Sequence, residues 1–145
     1  LQDYLRLEFL RFGDRFNYFI RLDNVKEPER WEVFPGMVQP FIENAIWHGV
    51  RGLQDRKGNI HIVFTEKDMD CIQCEITDDG IGCVNTSKLN HNNEHKSKGI
   101  QLIRDRLHII NHLKKKNFKL AIVDAFPGRS ESGTRVIIDI PALFK

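Results

Sequence analysis

The sequence has too few cysteines for a stapled fold. Three thiols, Cys71, Cys74 and Cys83, are an odd number with no framework spacing, which excludes a small disulfide scaffold and fits reduced thiols in the cytosol. Charge of one sign is also missing. Lys and Arg together number 22 against 20 Asp and Glu, a formal net charge of +2, too small for bulk attraction to nucleic acid or a membrane surface. No apolar run approaches the ~20 residues that span a bilayer, and no signal peptide or internal repeat is present. Metal-ligand patterns are thin. Cys71 and Cys74 have Cys-x-x-Cys spacing, but on a strand positions three apart point to opposite faces, and no second pair completes a zinc site. His108 and His112 are four apart without an intervening Glu, and they read as a solvated helix face, as do His91 and His95 in a polar loop. Lys114, Lys115 and Lys116 read as a solvated turn.

What remains is an ordinary globular composition, 41% hydrophobic and 29% charged over 145 residues, enough for one domain without a staple. The chain begins inside a helical pattern. Leu1, Leu5, Phe9 and Phe12 stripe a helix over 1–15, which reads as the end of an upstream helical region in a chain cut from a longer protein. Residues 16–145 then form the domain. Alternation of Phe16, Tyr18, Ile20 and Leu22 predicts a strand over 16–23, and a short second strand is expected over 31–34. Val38, Phe41, Ile42, Ala45 and Ile46 recur at helical spacing. They predict a helix that ends at Gly49, with Pro40 either at its start or at a kink. Strands follow over 59–66 and 71–78, joined by a hairpin turn. The stretch from Cys83 to Lys98 loses all periodicity and reads as a functional lid or disorder. A helix over 100–113 carries Leu102, Ile103, Leu107, Ile110 and Leu113, and two strands over 119–125 and 134–140 close the chain. This order lacks the strict alternation of a doubly wound sheet. It predicts an α/β fold of the α+β type, a two-layer sandwich whose mixed β-sheet is covered on one face by helices.

Three stretches carry polar groups where a structural element would not need them. The helix over 35–49 puts Glu43, Asn44, Trp47 and His48 together on one face; an amide, a carboxylate and an imidazole are short groups suited to a ligand or metal. The strand ending at Asp78 runs into Asp79-Gly80-Ile81-Gly82. A carboxylate at a buried strand end needs hydrogen-bond donors, which a base with an exocyclic amine supplies, and the glycines allow a close approach to the backbone. A plain Asp-Gly turn explains the same residues equally well. Ser97-Lys98-Gly99-Ile100 opens a helix, whose N-terminus is a ready anion site, although an ordinary capped start is the commoner meaning. Gly133-Thr134 alone is explained by a strand start.

Jointly these stretches are specific. Glu43-Asn44-Ala45-x-x-His48-Gly49, Asp78-x-Gly80-x-Gly82, a polar lid, Gly99-Ile100-x-Leu102 with Arg106-Leu107, and Gly133-Thr134 stand in the order and approximate spacing of the nucleotide-binding boxes of the GHKL superfamily. Over nearly its whole length the chain resembles the ATP-binding domains of that superfamily. Tyr4-Leu5-x-x-Glu8-x-x-Arg11-Phe12 and Pro35-x-Met37-x-Gln39-Pro40-Phe41-x-Glu43-Asn44-Ala45 resemble the LytS-like branch of sensor histidine kinases. The resemblance implies ATP and Mg²⁺ as cofactors. Asn44 is implied as the Mg²⁺ ligand and Asp78 as acceptor of the adenine amino group. Gly80 and Gly82 pass the base. Lys98, Gly99 and Ile100 hold the phosphates, and Thr134 sits beside Asp78 through water. Glu43 and His48 match the branch pattern and are the catalytic candidates, their individual roles open. Trp47 stands where members often carry Lys, and Gln101 where many carry Gly.

The implied activity is phosphoryl transfer from ATP to a histidine of a two-component phosphorelay. None of the six histidines matches a phosphoacceptor context, so the acceptor is expected on dimerising helices upstream. Implied partners are those helices in a homodimer and a response regulator, with no nucleic acid; the domain is expected in the cytoplasm and its parent in the inner membrane. Two rivals stay open. One is an anti-sigma-like switch that binds nucleotide without phosphorylating histidine. The other is a reduced-thiol interaction domain with a degenerate pocket.

Overall fold

A computed structural model describes residues 2–33, 35–82 and 93–142. Among them the chain forms helix α1 (Gln2–Phe12), strand β1 (Phe16–Asp23), a 3₁₀ turn (Pro28–Arg30) and helix α2 (Pro35–Asn44). A π-turn (Ala45–Gly49) and a 3₁₀ turn (Val50–Gly52) extend α2, and strands β2 (Gly58–Asp68) and β3 (Cys71–Asp78) follow. Helix α3 (Asn93–Lys114) and strands β4 (Lys119–Asp124) and β5 (Thr134–Pro141) complete the fold.

The five strands make one mixed sheet in the order β1-β2-β3-β5-β4. β1 and β2 pair in parallel, with α2 in the crossover between them; the other neighbours are antiparallel. Strand side chains alternate between faces, and one face carries most of the apolar ones and all the buried ones named next. Phe16, Ile60, Ile62, Ile72, Cys74, Ile76, Val136, Ile138 and Ile140 are buried there against Leu5, Val38, Phe41, Ile42, Ile46, Ile103 and Leu107. The architecture is the expected α+β two-layer sandwich. α1 belongs to this core: Leu5 is fully buried, and the Phe9 ring meets those of Phe16 and Tyr18 edge-on at 5.9 and 6.2 Å.

Three expectations are corrected. Residues 31–33 form no strand and residue 34 lies outside the described residues. The Trp31 N–H closes the preceding turn on the Pro28 carbonyl at 3.2 Å, and Trp31 and Val33 instead pack against the core as partly buried side chains. Pro40 sits within α2 rather than at its start; the carbonyl left without its N–H is that of Gly36, an exposed residue. α3 begins at Asn93 rather than Ile100. Its first residues, Asn-Glu-His-Lys-Ser-Lys, contain no apolar side chain, so no periodicity could announce them. The apolar pattern of α3 also splits: Ile103 and Leu107 are buried, while Leu102 and Leu113 are exposed. Leu22, the last of the β1 stripe, is exposed too.

Candidate functional site

The register of β3 decides the site. Its inward positions are Ile72, Cys74, Ile76 and Asp78. The first three fill the core, and the fourth puts a carboxylate in the same row, 3% exposed. A carboxylate there needs donors. The Gly80 N–H supplies one, to Asp78 Oδ1 at 2.9 Å. β5 pairs Thr134 directly with Asp78.

Glycines let the neighbouring backbone close in. A Cβ on Gly49 would lie 2.6 Å from Asp78 Oδ1, and one on Gly80 would run into the Gly49 backbone. Side chains at either position would push the end of α2 and the loop after β3 apart. Hydrogen bonds that hold that loop include Ile81 N–H to the Gly49 carbonyl at 3.4 Å and Gly133 N–H to the Gly80 carbonyl at 3.0 Å.

Between the sheet and the helices lies a cavity lined by Phe41, Asn44, Ala45, Ile76, Asp78, Ile100, Ile122, Thr134 and Val136. Four residues expected at a nucleotide site, Asn44, Asp78, Ile100 and Thr134, are thus brought together from α2, β3, α3 and β5. The remaining walls are aliphatic or aromatic. One buried carboxylate, one amide and one hydroxyl in apolar surroundings offer acceptors to a group that donates a hydrogen bond. Sequence reasoning passed over Ile76, Ile122 and Val136. Two of them were within its reach, since Ile76 and Val136 stand two residues from Asp78 and Thr134 on the same faces of their strands.

The other candidates are placed differently. Gly80 and Gly82 adjoin Asp78 outside the cavity lining; Gly80 packs on Gly49 and Gly82 on Ser132. Glu43 is half-buried and accepts the Gln39 Nε2–H at 3.1 Å. His48 is exposed in the π-turn. Trp47, also in that turn, lies between two guanidinium groups, with Arg51 4.5 Å and Arg11 5.5 Å from the ring centroid, so cations gather at this position although no Lys occupies it. Gly99 lies inside α3, not at its start. An interior helical N–H bonds to the carbonyl four residues back, so the backbone donor expected for an anion at Gly99 is used by the helix itself. The Lys98 side chain lies outside the described residues, as do Cys83 and the rest of the expected lid through residue 92. Residues 93–98, assigned to that lid, are helical instead.

Beside Asp78, Asp79 points away from the cavity into a polar network. Its carboxylate accepts the Asn59 N–H and the Asn59 Nδ2–H, both at 2.7 Å, and pairs with Arg56 at 3.1 Å. Burial works to raise its pKa, but these hydrogen bonds and the guanidinium outweigh it and hold the group below the usual carboxylate range. The two described cysteines take no part. They face opposite sides of β3, and burial pushes the Cys74 thiol up to about 12, which makes it an inert core residue. Among the described residues no cluster of His, Cys, Asp and Glu could hold a metal ion, and no helix is long and apolar enough to cross a membrane.

No protein-family model and no curated protein matches the chain. Its fold does match solved structures. The histidine kinase domain of a blue-light activated histidine kinase from Erythrobacter litoralis superposes with a TM-score of 0.60 at 18% identity. That match covers 97% of this chain and 62% of the other, so the chain spans less than two thirds of that structure. The mycobacterial sensor histidine kinase MprB gives a TM-score of 0.60 at 14% identity, covering 96% of this chain and 90% of that one. The catalytic domain of the histidine kinase ThkA, in a nucleotide-free form, gives 0.55 at 14% identity, with 97% and 93% covered. The mixed five-stranded sheet with its helices is the fold of these histidine kinase domains.

Proposed function

We propose that this chain is the ATP-binding catalytic domain of a sensor histidine kinase of the LytS-like branch, donating the γ-phosphate of ATP to a histidine on a helix that precedes it. The observation that carries the reading is the cavity in which Asp78, Thr134 and Asn44 converge among aliphatic walls. The residues fit an adenine at one end: a buried carboxylate accepts an exocyclic amine, and Ile76, Ile122 and Val136 enclose the ring. Thr134 joins Asp78 there through water, and the Gly80-x-Gly82 loop keeps its close packing against Gly49 and Ser132 behind the base. At the other end Asn44 offers an amide oxygen, a suitable ligand for a hard cation such as Mg²⁺. Lys98 is assigned to the phosphates, while Ile100 closes the cavity it lines and Gly99, whose N–H the helix uses, offers them no backbone donor. Bound Mg²⁺ neutralises phosphate charge; the rest of such catalysis is positioning.

The cavity is about 30 Å³, room for water rather than a base. Binding of a base therefore requires the cavity to widen. Glu43, held by Gln39, and His48, exposed in the π-turn, are assigned to the phosphate side. α1 is assigned to the end of an upstream dimerising region that docks on the domain through Leu5. The response regulator, the homodimer, the cytoplasmic location and a membrane-anchored parent belong to the same reading.

The test is a titration of the protein with a fluorescent ATP analogue, with and without Mg²⁺. Binding in the micromolar to millimolar range is expected, and none at millimolar nucleotide overturns the reading. In Asp78→Asn the acceptor for Gly80 survives while the charge-assisted bond to the amine is lost; affinity is expected to fall roughly tenfold or more. An unchanged affinity removes Asp78 from the adenine. A switch that binds nucleotide without phosphorylating histidine would pass both tests, and transfer of label from γ-³²P-ATP to the longer protein separates the two.

A further inference from the structure

We propose that Arg56, Asp79 and Glu131 form a positioning clamp that holds the Asp78–Thr134 edge of the cavity in register and so sets its preference for a ligand amine. The inference rests on the nucleotide reading above. Every polar group of residue 79 is engaged. Its N–H donates to the Asn59 carbonyl at 3.2 Å. Its carbonyl accepts Arg56 Nη2–H at 2.6 Å. Its carboxylate takes both Asn59 donors and the second arm of Arg56. The same Nη2 reaches Glu131 Oε2 at 2.7 Å. Glu131 stands just ahead of Gly133 and Thr134. One guanidinium therefore ties the loop after β3 to the loop before β5.

These two loops present the paired residues Asp78 and Thr134. They also share the bond from Gly133 N–H to the Gly80 carbonyl, and Gly80 N–H holds Asp78 Oδ1. A shift at residue 79 therefore passes through one peptide unit to the carboxylate in the cavity. The ion pairs themselves are too exposed to be the purpose of the arrangement: the Arg56 and Glu131 side chains are 41% and 46% exposed, and such pairs contribute little stability. What the planar fork supplies is geometry. Recognition of an amine by a fixed acceptor depends on that geometry, and small misplacements are costly.

The experiment compares Arg56→Ala, Asp79→Asn and Arg56→Lys with the wild type, measuring thermal unfolding and the Kd for fluorescent analogues of ATP and of inosine triphosphate, whose base has no exocyclic amine. Arg56→Ala and Asp79→Asn are expected to unfold within a few degrees of the wild type. Their Kd for the ATP analogue should rise roughly tenfold, with little change for the inosine analogue, because only the amine contact is misaligned. Arg56→Lys keeps the charge but not the fork and should recover part of the preference. Folded variants with an unchanged ratio of the two Kd values overturn the clamp. So does an equal loss for both nucleotides that follows a loss of stability, or failure of all three variants to fold, since either makes the network structural. A wild type that binds neither analogue overturns the nucleotide reading first and the clamp with it.

Discussion

The two walls of the cavity are built in different ways. The sheet wall, with Ile76, Asp78, Ile122, Thr134 and Val136, comes from three hydrogen-bonded strands. The helix wall, with Phe41, Asn44, Ala45 and Ile100, comes from α2 and α3. On the sheet side each side chain is aimed by a register that cannot slip by one residue without turning the whole apolar row to solvent. On the helix side Asn44 is the last α-helical residue before a π-turn, a local irregularity that often marks functional sites. The sheet wall is fixed by strand pairing, and the helix wall by packing alone.

The largest expected effect comes from forcing the walls apart. In Gly80→Ala the new methyl has only the Gly49 backbone in front of it. Overpacking against backbone is expected to cost about 2–3 kcal/mol and to lower Tm by several degrees in a calorimetric scan. An unchanged Tm would mean that the contact of the two walls is loose. Next is a change confined to the helix wall. Asn44→Ala should leave folding intact and remove most of the Mg²⁺ enhancement of nucleotide binding, about tenfold by analogy with lost ligand contacts. If Mg²⁺ still enhances binding to the same degree, Asn44 is not its ligand and the asymmetry of the walls has no functional side.

The smallest effect concerns pH and the sheet side alone. Asp79 has a folded pKa held below its ordinary value, so its contribution to stability is present above the unfolded pKa and is lost as pH falls through the lower folded one. Stability should therefore decline below about pH 4, and Asp79→Asn should flatten that limb in urea titrations at several pH values. An acid limb identical in the variant would exclude Asp79 as its source.

Much of the sheet was legible because its signal is local. The bounds expected for β1, 16–23, are those observed, and the inward row of β3 follows from alternation alone. The short strand over 31–34 failed because a strand needs a partner, and a run of apolar residues does not say whether one exists. The start of α3 was missed because its first residues have no apolar stripe to read. Pro40 as a helix start failed because a proline fits the first turn of a helix as a matter of rule, and only the structure shows that α2 already begins at Pro35. At the site, Asn44 and Asp78 were legible as polar groups out of place, while Thr134, which a strand start explains, entered only through the resemblance. Their meeting in one cavity was not.

The amino-acid order by itself determined which residues of β3 face inward, and therefore that a carboxylate ends the row of Ile72, Cys74 and Ile76. Periodicity is a property of neighbours in the chain, and the chain alone states it. Only the tertiary structure decided what surrounds that carboxylate. Gly49 approaches it from α2, Thr134 pairs with it from β5, and Arg56 locks its neighbour to Glu131, 75 residues further along. Such contacts depend on how the elements pack, and no local pattern encodes a partner that lies half the chain away.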